Sequence, residues 1–109
     1  MANMQELSDD TIFNVIETEE LVLIDFYASW CGSCRVAAPM FARVAEEEGV
    51  KIYKIDVEKN PKIKEMIDLP GLPSVGCFKN GEPQDLVNLT KEDGFREFVK
   101  KMKGVIYGH

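Results

Sequence analysis

Cys31 and Cys34, three residues apart, are the side chains best placed to do chemistry. At that spacing two thiols suit either a reversible dithiol/disulfide couple or half of a metal site. They follow an apolar run, Leu21 to Ala28 (LVLIDFYA), and a helical pattern opens at Gly32. Cys31 therefore stands at a helix N-terminus and Cys34 one turn further in. Unpaired amide donors and the positive end of the helix dipole stabilise a thiolate there and lower the Cys31 pKa, with Arg35 as a further source of positive charge. Cys31 is the expected nucleophile. Residues three apart share a helix face, so Cys34 can reach back to a sulfur bonded to Cys31 and expel a substrate thiol. The zinc alternative needs more ligands than the sequence offers. Cys77 alternates with Val75 on an apolar strand and reads as a core residue, and His109 sits at the C-terminus. Asp25, inside Leu23-Ile24-Asp25-Phe26, is desolvated there, so its pKa should rise.

The elements that must hold these groups follow from periodicity. Ser8-Asp9-Asp10 caps a short helix carrying Ile12, Phe13, Val15 and Ile16, which ends near Glu17 to Glu20. Leu21 to Ala28, apolar on both faces apart from Asp25, is a central strand covered on each side. The helix from Gly32 to about Glu48 presents Val36, Ala37, Met40, Phe41, Val44 and Ala45 inward, with Pro39 as an internal kink. A strand over Lys51 to Val57 and a helix opened by Asn60-Pro61 follow, reaching about Met66 and Ile67. Beyond the loop Leu69 to Pro73, strands Ser74 to Lys79 and Gln84 to Leu89 form a hairpin through Asn80-Gly81. A last helix, Lys91 to Lys103, buries Phe95, Phe98, Val99 and Met102 and leaves 104–109 as a tail. Parallel strands with crossover helices, then a hairpin and a helix, make a three-layer α/β domain with a mixed sheet.

At 109 residues, 45% of them hydrophobic, the chain supports one core, so residues 1–109 are expected to form one domain. A net charge of −6 disfavours nucleic-acid binding, and no apolar stretch approaches the ~20 residues a membrane span requires. The opening residues, Met1 to Glu6, lack a basic segment and an apolar block, which points to the cytoplasm.

Several separated segments resemble the thioredoxin family: DFYASWCGSCR at Asp25 to Arg35, Ala38-Pro39, KIDVEKNP at Lys54 to Pro61, GLPS at Gly71 to Ser74 and FKNGE at Phe78 to Glu82. The resemblance, over roughly residues 4–103, implies a thioredoxin fold, a three-layer α/β/α arrangement of about five strands and four helices. It also implies reduction of protein disulfides by a monomer with no cofactor beyond its own disulfide, recharged by an electron donor of the thioredoxin reductase type. Residue by residue, Cys31 attacks, Cys34 resolves, and Asp25 matches a buried carboxylate that Lys54 pairs with. Trp30, Gly32, Ser33, Gly71, Leu72 and Pro73 border the substrate groove, with a cis bond before Pro73. Two positions depart from the pattern. Ser33 replaces a proline, which leaves the redox potential open, and Asn88 falls where a groove glycine is expected, a position where asparagine tolerates positive φ. A disulfide oxidase or isomerase, and a binding module that uses the fold as a scaffold, are the alternatives. The first is suggested by Ser33; the second does not require Asp25, Cys31, Cys34 and Pro73 together.

Overall fold

In the computed structural model, which describes residues 4–107, a five-stranded sheet divides the helices into two layers. The elements run β1 (Gln5–Leu7), α1 (Ile12–Thr18), β2 (Leu21–Tyr27), α2 (Gly32–Glu48), β3 (Lys51–Asp56), α3 (Pro61–Met66), β4 (Ser74–Lys79), β5 (Glu82–Asn88) and α4 (Glu92–Tyr107). Strand order is β1-β3-β2-β4-β5. β1 and β2 both pair parallel with β3, while β4 pairs antiparallel with β2 and with β5. This is the expected mixed α/β/α arrangement. β2 lies at its centre because five of its seven residues are buried, which only a strand covered on both faces requires.

Alternation along β2 sorts the two cores. Leu23 points to one face, where α2 and α4 supply Ala37, Phe41, Val44, Phe95, Phe98, Val99 and Met102. Val22, Ile24 and Phe26 point to the other, against Ile12 and Ile16 of α1 and Ile63 of α3. Asp25 shares the parity of Leu23 and so belongs to the α2 side. The Phe41 and Phe95 rings, 4.6 Å apart and tilted by 47°, join α2 to α4.

Several expected boundaries shift for identifiable reasons. β1 adds a strand ahead of α1 that periodicity does not reveal, because three residues on a sheet edge show too little alternation. The N-cap of α1 is Thr11, without a side-chain cap bond. Asp9 serves another helix: its carboxylate accepts the Lys62 and Ile63 amides at 3.1 and 2.9 Å and so caps α3. Asn60 Oδ1 in turn accepts the Asp9 amide at 2.8 Å. β5 begins at Glu82 rather than Gln84, since Asn80 (φ 50) and Gly81 (φ 88) make a two-residue turn; Pro83 is accommodated at a bulge near Cys77/Phe78 on the edge strand. α4 continues four residues past Lys103, into the segment read as tail. Val36, expected on the inner face of α2, is 80% exposed, because it lies off the arc carrying Cys34, Ala37, Phe41 and Val44.

Candidate active site

Between β2 and α2 the chain turns through Ala28, Ser29 and Trp30. The Cys31 amide closes the turn by donating to the Ala28 carbonyl at 3.1 Å, and Arg35 Nη1 donates to the Ser29 carbonyl at 2.8 Å. The guanidinium expected to bias the thiolate is thus engaged in holding the turn. Cys31 is the N-cap of α2, in extended conformation, and its Sγ accepts the Cys34 amide at 3.2 Å. No acidic residue occupies the first turn of α2, so nothing anionic competes with sulfur for the amide donors. Ser33 Oγ lies 3.4 Å from the same sulfur. Cys31 and Cys34 are joined in a disulfide, with Cα atoms 5.3 Å apart. Neither cysteine is openly exposed, but at 6% against 2% Cys31 is the more accessible. Around them Trp30, 67% exposed, and Val36 present apolar surface to solvent, while Gly32 and Ser33 are exposed between the two sulfurs' residues.

The segment before β4 lies against the cysteines. Leu72 packs against Ala28, Cys31 and Cys34, and the Leu72–Pro73 bond is cis. Ser74 Oγ donates to the Gly71 carbonyl. Asn88 Nδ2 donates to the Pro73 carbonyl at 2.6 Å, and its carboxamide would lie 3.3 to 3.4 Å from a Cβ built on Gly71. Asn88 does not use positive φ; among the described non-glycine residues only Asn80 does. Its link to the segment before β4 is made by the side chain.

Asp25 is 1% exposed, and its Oδ1 has no hydrogen-bond partner among the described residues. Burial pushes its pKa up to about 7, against the opposing pull of Lys54 and with a smaller push from Glu6. The direct Asp25–Lys54 pairing implied by the resemblance is not what the structure shows. Lys54 is the register partner of Asp25 on β3, yet its Nζ lies 3.9 Å from Glu6 Oε1 and 5.7 Å from the Tyr27 ring centroid. A half-exposed carboxylate offers the ammonium a partner without the desolvation that reaching Asp25 would cost. Tyr27 donates its hydroxyl to Glu6 Oε2 at 2.6 Å.

Sequence reading missed Glu6 and Tyr27. Tyr27 shares a face with Asp25 two residues on, a signal that alternation carries; Glu6 lies on the strand whose register was not legible. Cys77 is fully buried on β4, opposite Leu23, and burial pushes its thiol up to about 12. Among the described residues no group of three or more His, Cys, Asp or Glu gathers as metal ligands, and His109 lies outside them.

The sequence pattern of the thioredoxin family matches residues 3–101. The chain is 40% identical to a thioredoxin of Listeria monocytogenes over 101 residues, covering 90% of this chain and 97% of that one. A thioredoxin of Geodia cydonium is 39% identical over 87 residues, 78% of this chain and 82% of its own. Among solved structures, the thioredoxin of Schistosoma mansoni superposes with a TM-score of 0.82 at 28% identity, covering 91% of this chain and 94% of that one. That of Malassezia sympodialis gives 0.82 at 27% identity, covering 94% and 92%. With the match spanning nearly all of its length, the chain belongs to the thioredoxin family, thiol–disulfide oxidoreductases whose redox group is a cysteine pair of their own.

Proposed function

We propose that the chain works as a reductase of protein disulfides, with Cys31 as attacking and Cys34 as resolving residue. The family takes disulfides as substrates and is recharged by a reductase in general terms; the finer reading is that protein clients dock in the groove and that a donor of the thioredoxin reductase type restores the dithiol. The observation that carries it is the position of the Cys31 sulfur at the cap of α2, accepting an amide N–H and within reach of the Ser33 hydroxyl. Donors aimed at sulfur favour its thiolate. The Cys31 thiolate attacks one sulfur of a client disulfide, a Cys31–client bond forms, and the other client sulfur leaves as a thiolate and takes up a proton. The Asp25 carboxylate accepts the Cys34 proton. Cys34 sulfur then attacks Cys31 sulfur, breaks the mixed disulfide and releases the second client thiol.

Trp30, Gly32 and Ser33 would meet the client on one side of the groove, and Gly71, Leu72, Pro73 and Asn88 on the other. Leu72 against the cysteines and Asn88 on the Pro73 carbonyl support this assignment. Lys54 acts on Asp25 by charge alone. The same reading treats residues 1–109 as one domain and a monomer and places it in the cytoplasm, where reducing power is available; no described helix is long and apolar enough to cross a membrane.

Reduced protein incubated with insulin should cleave its disulfides, and Cys31→Ser should abolish that turnover; insulin reduction by the variant would refute the assignment. The 3.4 Å approach of Ser33 to Cys31 favours a second reading, a more oxidising couple suited to disulfide formation or isomerisation. Titration of the Cys31/Cys34 couple against glutathione separates the two.

A further inference from the structure

Three parallel strands place charged side chains in one row across the sheet: Glu6 on β1, Lys54 on β3 and Asp25 on β2 are successive register partners. Their signs alternate, and they share the face that carries the cysteines. The middle charge has two carboxylates to choose from. It lies 3.9 Å from Glu6, whose other oxygen accepts the Tyr27 hydroxyl at 2.6 Å, and it stands over the Tyr27 ring. Asp25 is left with an unpartnered oxygen in a buried site.

We propose that Glu6 is a positioning residue of the redox reaction, which holds the Lys54 ammonium at the β1 edge and so leaves Asp25 free to take and return the Cys34 proton. The proposal rests on the role given to Asp25 above. Tyr27 fixes the Glu6 carboxylate, Glu6 holds Lys54, and the ammonium acts on Asp25 only along the row. Were Lys54 to close on Asp25, an ammonium within about 4–6 Å would favour the carboxylate strongly and leave no proton to exchange at pH 7.

The other ionisable groups around Asp25 do not take over this role. From β3, Asp56 is one pleat beyond Lys54, and its Oδ1 accepts the Glu58 and Lys59 amides at 2.9 and 3.3 Å. From β4, Val75 is the register partner of Asp25, and Cys77 one pleat on is buried with its thiol protonated. From α2, Cys34 is the proton's other partner once the disulfide opens, not a competitor for Lys54, and Arg35 is held by Ser29. The cations Arg96 and Lys103 of α4 are engaged with Glu47, Glu48 and Glu92.

The test is a double-mutant cycle on the full chain, with the Asp25 carboxyl titrated by carbon NMR and mixed-disulfide resolution followed against pH. Glu6→Gln removes the competing charge from a half-exposed edge position and leaves the core intact. It should move the Asp25 midpoint down by about 0.3–0.7 pH unit, roughly two- to fourfold more carboxylate at pH 6, the range being small because the Glu6–Lys54 pair is solvent-screened. Resolution at pH 6 should accelerate by the same factor and be unchanged at pH 9. In a Lys54→Met background the Glu6→Gln shift should shrink to less than half. An unmoved midpoint, or a shift undiminished without Lys54, would overturn the proposal. A resolution rate that ignores the Asp25 midpoint in every variant, Asp25→Asn included, would overturn the role of both carboxylates in the reaction, and the separately measured midpoints identify that outcome.

Discussion

The two ends of α2 are built on opposite principles. At its C-terminal end Glu46, Glu47 and Glu48 face the negative end of the helix dipole, an unfavourable arrangement that α4 offsets. Arg96 binds Glu47 and Glu92, Arg43 binds Glu47 and Glu92, and Lys103 Nζ donates to the Glu48 carbonyl at 2.8 Å. These contacts hold the Glu47 and Glu92 carboxyls below their usual range, the former chiefly through Arg96 and the latter through Arg43. Gly49, at φ 70, closes this end, with the Val50 amide on the Ala45 carbonyl at 3.0 Å. At the N-terminal end no ion pair crosses between helices among the described residues; the sulfur of Cys31 receives the Cys34 amide, with Ser33 and Gly32 exposed beside it. One end carries ion pairs between helices, while the other leaves its donors to the Cys31 sulfur.

Loss of the core contact that joins α2 to α4 should have the largest effect on stability. Phe41→Ala removes the ring packed at a tilt against Phe95 in the core and should cost about 3–5 kcal/mol while leaving the Cys31/Cys34 potential near its original value. Denaturant unfolding and a glutathione titration measure the two separately; a potential that moves with the stability would mean that the ends are not independent.

Asp25 couples the reactive end to stability. Its pKa is raised on folding, so the folded state holds the proton more tightly. The penalty is absent below the unfolded pKa, grows from about pH 4 to 7, and stays constant above that. Asp25→Asn should therefore be more stable near neutrality by up to about 4 kcal/mol, with the advantage vanishing below pH 4, yet slower in turnover. Urea melts at pH 3.5 and 7.5 with parallel rate measurements check this; equal stability at both pH values and equal rates would remove Asp25 from the account.

Ser33 tests the reactive end alone. Proline there removes a first-turn amide and the hydroxyl 3.4 Å from Cys31. A hydrogen bond to a charged group contributes roughly 1.5–3 kcal/mol, equivalent to about 30–60 mV for two electrons, an upper range for a solvated sulfur. Ser33→Pro should shift the potential negative within that range and raise the Cys31 pKa; an unchanged or more positive potential would show that Ser33 does not tune the couple.

What the sequence made legible follows the same division. Periodicity revealed α2, β2, β4 and the inner face of α4, because Phe95, Phe98, Val99 and Met102 repeat at helical spacing and all are buried. The cysteine pair and its helix-cap position were legible from strand and helix signals meeting at Trp30. What depends on register was not. Glu6 and Lys54 meet only because β1 lies beside β3, a pairing between strands far apart in the chain. The cap that Asp9 gives to α3 spans 54 residues for the same reason. Asn88 could be aligned to the groove, but its bond to Pro73 depended on the β4–β5 register and the bulge within it.

The central claim is that sulfur chemistry begins at the cap of α2 and ends one turn in. Cys34→Ser protein, reduced and mixed with a disulfide client, should accumulate a mixed disulfide that peptide mass spectrometry locates at Cys31, while Cys31→Ser should trap little or none. As much client trapped by the Cys31→Ser protein, through Cys34, as by the Cys34→Ser protein would contradict the assignment.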